Sequence, residues 1–211
     1  MRGEHVISTD EKTSIQALER IAPTKPCRPG LIERVEHEYV RHGTLCLMAN
    51  FEVATGEIAS FTIGSTRTEV DFANHIQQTV SSDSEAVWVF VADNLDTHRS
   101  ATLVELVAKW CGITDDLGKK GKSGILARKA SRAAFLADPS HRIRLVYTPK
   151  HCSWLNQVEI WFSVLVRRLL KRSSFASLEE LQDRIEKFIA YFNVTLAKPY
   201  RWTYTGRALA A

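Results

Sequence analysis

The sequence predicts an α/β fold built on a mixed five-stranded sheet with helices on both faces. Three observations lead there. Residues 86–92 (Ala86-Val87-Trp88-Val89-Phe90-Val91-Ala92) are apolar without interruption, the pattern of a strand covered on both sides. Strand-like runs cluster early, with a hairpin across residues 43–63. Later strand-like runs alternate with segments of helical period, which places helices against the sheet.

His5-Val6-Ile7-Ser8-Thr9-Asp10 reads as a short strand ending in an acid, followed by a polar stretch. Residues 22–30 carry three prolines and a glycine and read as an extended loop. The hairpin joins residues 43–51 to residues 58–63 through Ala54-Thr55-Gly56-Glu57. A helix over 68–82 has Thr68 as cap, Asp71 three residues on, and Phe72, Ile76 and Val80 at helical spacing. The apolar strand ends in Asp93-Asn94, and residues 99–110 form another helix with Leu103, Leu106, Val107 and Trp110 on one face. Residues 112–123 read as a mobile glycine- and lysine-rich loop that lacks the pattern of a phosphate-binding loop, and residues 125–137 as a short basic helix. A strand over 143–147 leads through a polar turn into a long apolar helix from about Trp154 to Lys171. The last helix starts at Ser177, with Glu180 as capping-box partner and a stripe from Leu178 to Phe192.

Composition bounds the function. The 211 residues are 45% apolar and 25% charged, ordinary for a globular chain of one large domain, or one domain with an appendage. No run is long enough to span a membrane and the start has no signal-peptide core. The four cysteines form no Cys-x-x-Cys pair, which argues against a zinc knuckle or a disulfide framework and makes a reducing cytoplasm the default. Net charge is +4, but its distribution says more. Lys119, Lys120, Lys122, Arg128, Lys129 and Arg132 follow one another with no acid between them, and Arg167, Arg168, Lys171 and Arg172 form a second cluster. Such clusters suit a polyanion such as nucleic acid, although solvated basic surface has the same pattern.

Three acids fall at element ends: Asp10, Asp93 and Glu159. If the first strand and the apolar strand are neighbours, Asp10 and Asp93 face each other at the sheet edge and Glu159 approaches from the following helix. Clustered carboxylates repel unless a cation joins them, and oxygen donors favour magnesium or manganese. Two such ions serve phosphodiester chemistry. Each acid also has a structural alternative. Asp10 and Asp93 suit caps, and Glu159 suits solvent or a pairing with Arg167 or Arg168. His98 and His151 read as substrate-contacting or structural rather than ligands. Trp154, Trp161 and Phe162 read as core residues, with Trp154, in the turn, placed to stack on a base.

The motifs Asp10-Glu11-Lys12-Thr13, Tyr39-Val40-Arg41-His42-Gly43-Thr44, Asp93-Asn94-Leu95-Asp96-Thr97-His98 and Thr148-Pro149-Lys150-His151-Cys152-Ser153-Trp154-Leu155-Asn156-Gln157-Val158-Glu159 resemble the catalytic domain of bacterial insertion-sequence transposases. These are mariner-like DDE transposases of the insertion sequence 630 family, and the resemblance runs from Val6 to about Asn193. It implies a ribonuclease-H-like fold and a triad of Asp10, Asp93 and Glu159 holding Mg2+ or Mn2+, with two ions expected. The implied reaction is cleavage of a DNA phosphodiester at an element end, then attack of the freed 3′-hydroxyl on target DNA. The DNA-contacting set expected is Lys119, Lys120, Lys122, Arg128, Lys129, Arg132, Lys150, His151, Trp154 and Asn156, with Asn94 and His98 as further substrate contacts. The partners are transposon-end and target DNA, with a homodimer as a family habit, in a bacterial cytoplasm at the nucleoid. The catalytic unit is expected over residues 1–195, with a basic insertion at about 113–140 and a tail at 196–211. Only nine residues precede Asp10, so the helix-turn-helix reader of the relatives is expected to be absent. The alternative is a silent or domesticated fragment that binds DNA or assembles without cutting.

Overall fold

In the computed structural model, residues 3–150, 152–171 and 173–201 are described. Five strands form one sheet in the order β3-β2-β1-β4-β5. They are β1 (Glu4–Arg20), β2 (Tyr39–Glu52), β3 (Ile58–Gly64), β4 (Val87–Ala92) and β5 (Ile143–Tyr147). β1, β2 and β3 form an antiparallel meander, and β4 and β5 add in parallel beside β1. The helices are α1 (Glu69–Val80), α2 (Ala101–Cys111), α3 (Lys129–Leu136), α4 (Val158–Leu165) and α5 (Leu178–Thr195).

Two apolar layers hold the sheet. On one face Ile7, Met48, Trp88 and Phe90 pack under α1, α2 and α3 through Phe72, Ile76, Leu103, Val107 and Leu136. On the other, Ile15, Leu47 and Phe51 pack under α4 and α5 through Trp161, Phe162, Ile185 and Phe192. In β4, Trp88, Phe90 and Ala92 are buried in the first of these layers, while on its other face Val89 is buried and Val87 and Val91 are half-buried. Trp161 and Phe162 are core residues as expected, whereas Trp154 is half exposed, at 50%.

The local signals at α1 hold in detail. Thr68 accepts from the backbone N–H of Asp71, and the Asp71 carboxylate accepts from the backbone N–H of Thr68. At α5 the box is displaced. Ser177 accepts from Glu180 N–H, but the Glu180 carboxylate reaches one residue further and accepts from Ala176 N–H at 2.8 Å.

Two expectations are corrected and one is refined. Asp10 does not end a strand: β1 runs on to Arg20, paired with β2 from Ile7, with register shifts between Lys12 and Ile15, where Ser14 has a φ of 55°, and between Ala17 and Leu18. The sequence 22–30 is closed by short bridges, Lys25 to Arg34 and Arg28 to Leu31, though it forms no regular element. The long helix is three pieces. A single 3-10 turn at Ser153–Leu155 precedes α4, and α4 continues into a π-helical turn, Val166–Leu170, closed by Lys171 N–H to Val166 O at 2.9 Å.

Candidate active site

Register creates the site. β1 and β4 pair in parallel from Glu4 with Val87 to Ser8 with Val91. Carried two residues on, that offset sets Asp10 beside Asp93, just where β4 ends and β1 continues. Asp10 is buried on β1, while Asp93 is half-buried at the start of the loop that follows β4. Burial, joined by the nearby charge of Asp93, pushes the Asp10 carboxyl up to about 7, even though it accepts from the Glu11 N–H at 2.8 Å.

Successive residues of a strand point to opposite faces. Asp10 therefore looks toward α4, and Glu11 toward α1 and the residues after β4. There Glu11 Oε2 meets His98 Nε2 at 3.1 Å, while His98 Nδ1 lies 2.9 Å from Asp93 Oδ1. His98 itself is fully buried, and its ring packs 4.3 Å from that of Phe72. Burial alone would lower His98, but its hydrogen bonds to Asp93 and Glu11 outweigh that and bring it up to about 10. The bond to His98 in turn holds Asp93 below the usual carboxylate range. Burial opposes ionisation of Glu11, and the bond and charge of His98 overcome it, so Glu11 is also lowered.

On the α4 side Asn156 organises Asp10. Its Nδ2 donates to Thr9 O at 2.8 Å and lies 3.3 Å from Asp10 Oδ2, and its Oδ1 accepts from the Ser8 hydroxyl. Ser8 Oγ also accepts from Val158 N–H at 2.8 Å, which docks the start of α4 on β1. Glu159 follows in the first turn of α4 and is exposed. It lines a groove of about 250 Å3 with Lys12, Phe162 and Arg167. A second groove, of about 390 Å3, runs from Asp93 and Asn94 to Lys150 and Ser153.

Asp10, Glu11 and His98 each offer a donor atom within 4.8 Å of the others. Both ring nitrogens of His98 face carboxylates, Glu11 and Asp93, an arrangement that favours the imidazolium and sets His98 as a brace between them. The residues that fit a hard cation are the oxygen donors. Asp10 fits best, because crowding with Asp93 and burial leave its charge short of compensation.

The remaining candidates divide. Lys119, Lys120, Lys122, Arg128, Lys129 and Lys150 are exposed. Lys120 Nζ pairs with Glu69 at 2.7 Å and Lys129 Nζ with Asp96 at 2.6 Å, so the insertion flanks the loop that carries Asp93. The insertion is also a closed turn rather than an open loop. Lys119 N–H donates to Ser123 O at 3.1 Å, and a Cβ at Gly118 would lie 2.2 Å from that same oxygen. Three assignments are corrected by burial. Arg132 is 8% exposed and donates to Arg99 O and Leu126 O, which removes it from a DNA-facing set. Asn156 and His98 are both fully buried, so each positions an acid instead of touching substrate. Asn94 lines the groove, but its amide donates to Thr148 O at 2.6 Å and ties the ends of β4 and β5 together. His151 lies outside the described residues. Sequence reasoning missed Glu11, whose only signal was an acid directly after Asp10 inside a strand.

A family model described as DDE superfamily endonuclease matches residues 5–182. No curated protein matches the chain. Among solved structures, that of the Mos1 mariner paired end complex with Mn matches at 11% identity with a TM-score of 0.55, over 88% of this chain and 48% of that one. The Mos1 strand transfer complex matches at 10% identity with a TM-score of 0.56, over 88% and 47%. At such identities the likeness is one of fold, and the chain spans about half the length of these structures.

Proposed function

The chain belongs to the DDE superfamily endonuclease family, and on that premise we propose that it is the catalytic part of a transposase, cutting DNA at element ends and joining the freed 3′-hydroxyl to target DNA. The observation that carries this reading is the β1–β4 register, which sets Asp10 against Asp93 at the end of β4. The structures of similar fold are of Mos1 with transposon ends and after strand transfer, and their DNA and manganese are taken over to this chain as part of the proposal.

Asp10 and Asp93, with Glu159 from α4, would hold the cation, Mg2+ or Mn2+, with two ions expected. Bound there, it supplies an activated water or hydroxyl and charge stabilisation at the leaving oxygen. The chain supplies the rest. His98 orients Asp93, Asn156 holds Asp10, and Lys150 with the insertion lysines grips the phosphate backbone. The finer assignment, to bacterial elements of the insertion sequence 630 kind, rests on the motif resemblance. So do the catalytic unit at residues 1–195, a homodimer and a cytoplasmic, nucleoid-associated setting.

A second reading, a silent fragment that binds DNA, draws on one observation: His98 already balances Glu11 and Asp93 without an ion. Manganese separates the two. With an end-labelled duplex, Mn2+-dependent nicking that is lost in Asp93→Asn supports the catalytic reading; DNA binding without nicking at any Mn2+ concentration defeats it.

A further inference from the structure

A cleft of about 450 Å3 lies between the π-helical turn after α4 and the chain leaving α5. Val164 and Phe192 form its apolar part, and Arg167, Arg168, Lys198 and Tyr200 its polar part, with no carboxylate along it. Among the described residues, none of the three cations has an ion pair or a side-chain hydrogen bond. Tyr200 Oη is buried yet has no hydrogen-bond partner. A buried hydroxyl without a partner is costly, and next to free cations it marks a place for an acceptor.

The cleft is built, not left over. Leu196 and Ala197 N–H both donate to Phe192 O, at 2.8 and 2.9 Å, and so close the end of α5. Lys198 then passes over the β2–β3 turn so closely that a Cβ at Gly56 would lie 2.0 Å from its carbonyl oxygen. Tyr200 stacks on Phe51 with ring centroids 4.9 Å apart. Across from them the π-helical turn buries Leu169 and leaves Arg167 and Arg168 both outward. Single π turns inside α-helices recur at functional sites. Arg167 is also a wall of the groove that contains Glu159, so the two hollows are neighbours that share this side chain.

We propose that this cleft takes the phosphodiester backbone of a DNA strand beyond the acidic edge of the sheet, with Arg167, Arg168 and Lys198 on its phosphates and Tyr200 Oη donating to a non-bridging oxygen. The proposal rests on the reading that the chain acts on DNA, and it names a surface away from the insertion lysines. Three cations drawn from two separate chain segments, beside the groove that holds Glu159, favour a chain of phosphates over a small anion.

The test is fluorescence anisotropy of a fluorescein-labelled single strand of about 20 nucleotides across a KCl series, on wild type, Arg167→Ala/Arg168→Ala and Tyr200→Phe. Two lost phosphate contacts make the plot of log affinity against log salt shallower by about 1.4. Tyr200→Phe weakens binding while its melting temperature stays level or rises, because the hydroxyl has no partner in the free protein. An unchanged slope in the double variant overturns the proposal. So does inorganic phosphate that binds as tightly as the oligonucleotide, which would make the cleft a small-anion site. Calorimetry with Mn2+ on the same proteins keeps the two readings apart. A shallower slope with no Mn2+ binding, even beside a nicked duplex, upholds the cleft and removes the catalytic reading; Mn2+ binding with an unchanged slope does the reverse.

Discussion

His98 joins Glu11 to Asp93, with Nε2 3.1 Å from Glu11 Oε2 and Nδ1 2.9 Å from Asp93 Oδ1. One imidazolium thus ties the middle of β1 to the loop after β4, across 87 residues of sequence for Glu11. Both the ring and the Glu11 carboxylate are shut off from solvent, at 0% and 1% exposure. His98→Ala leaves a buried carboxylate without its counter-charge, and breaking such a pair costs about 3–5 kcal/mol. Urea unfolding of the variant should show a loss of that order. His98→Gln, able to bond one acid but not to carry charge, should fall between. Where the variants still fold, removing the cation that balances Asp93 should strengthen Mn2+ binding in calorimetry; unchanged affinity would make the brace purely structural.

Asn156 is the second positioning residue. Asn156→Ala removes its bonds to Ser8, Thr9 and Asp10 and should destabilise by about 1–3 kcal/mol. Asn156→Asp is the sharper variant. It sets a carboxylate against the Thr9 carbonyl and Asp10, so it should be worse than alanine at neutral pH and recover as pH falls and the new acid takes a proton. A denaturation series from pH 7.5 to 5 checks the order.

The basic insertion divides by burial. Arg132→Ala should lower stability through the lost bonds to Arg99 O and Leu126 O, and should leave the salt dependence of DNA binding unchanged. Lys119→Ala/Lys120→Ala/Lys122→Ala should flatten that dependence with little effect on unfolding, since all three are exposed. Anisotropy and thermal melting on the two variants give opposite patterns if burial is the deciding property.

His75 makes stability depend on pH. Burial holds it at about 3 against an ordinary 6.5, and its Nδ1 lies 2.9 Å from Thr62 Oγ1. Between those values the unfolded chain takes up a proton that the folded chain does not. The contribution is therefore complete above 6.5 and falls by about 1.4 kcal/mol per unit as pH drops. His98, raised to about 10, stays protonated in the folded chain, while the unfolded chain completes its protonation just below 6.5, so it adds a small contribution of opposite sign near the top of that range. Asp10, raised by burial, titrates in the opposite sense over part of it, so the effect of His75 is read as a difference. From pH 6.5 to 5, wild type should lose about 2 kcal/mol relative to His75→Gln in urea unfolding.

Much of this was legible in the residues. The apolar run of β4, the cap at Thr68 and the hairpin over 43–63 are local signals, and each produced the element it pointed to. Asp10 and Asp93 were legible as a pair because strand neighbours follow from element order. The length of β1 was not, because Glu11, Lys12 and Thr13 interrupt its apolar pattern just where the parallel partner ends. Buried Asn156 and Arg132 were read as outward-facing, and His98 as either substrate-contacting or structural, for the same kind of reason. Their partners, Glu11, Ser8 and Arg99, lie 33 to 148 residues away, and no local pattern reports on a bond of that span. The π-helical turn had no signal at all, since Val166–Leu170 reads as ordinary helix.

β1 has a consequence for the route by which the protein folds. Its pairing with β2 joins segments close in sequence, and the meander needs little loop closure. Its pairing with β4 must close a loop of about eighty residues, and docking of Asn156 on Ser8 one of 148. Non-local contacts of that length are the slow ones. The half of β1 that carries Asp10 should therefore gain β2 first, β4 next and Asn156 last, so the two acids are expected to meet only after the meander has formed, and not in its nucleus.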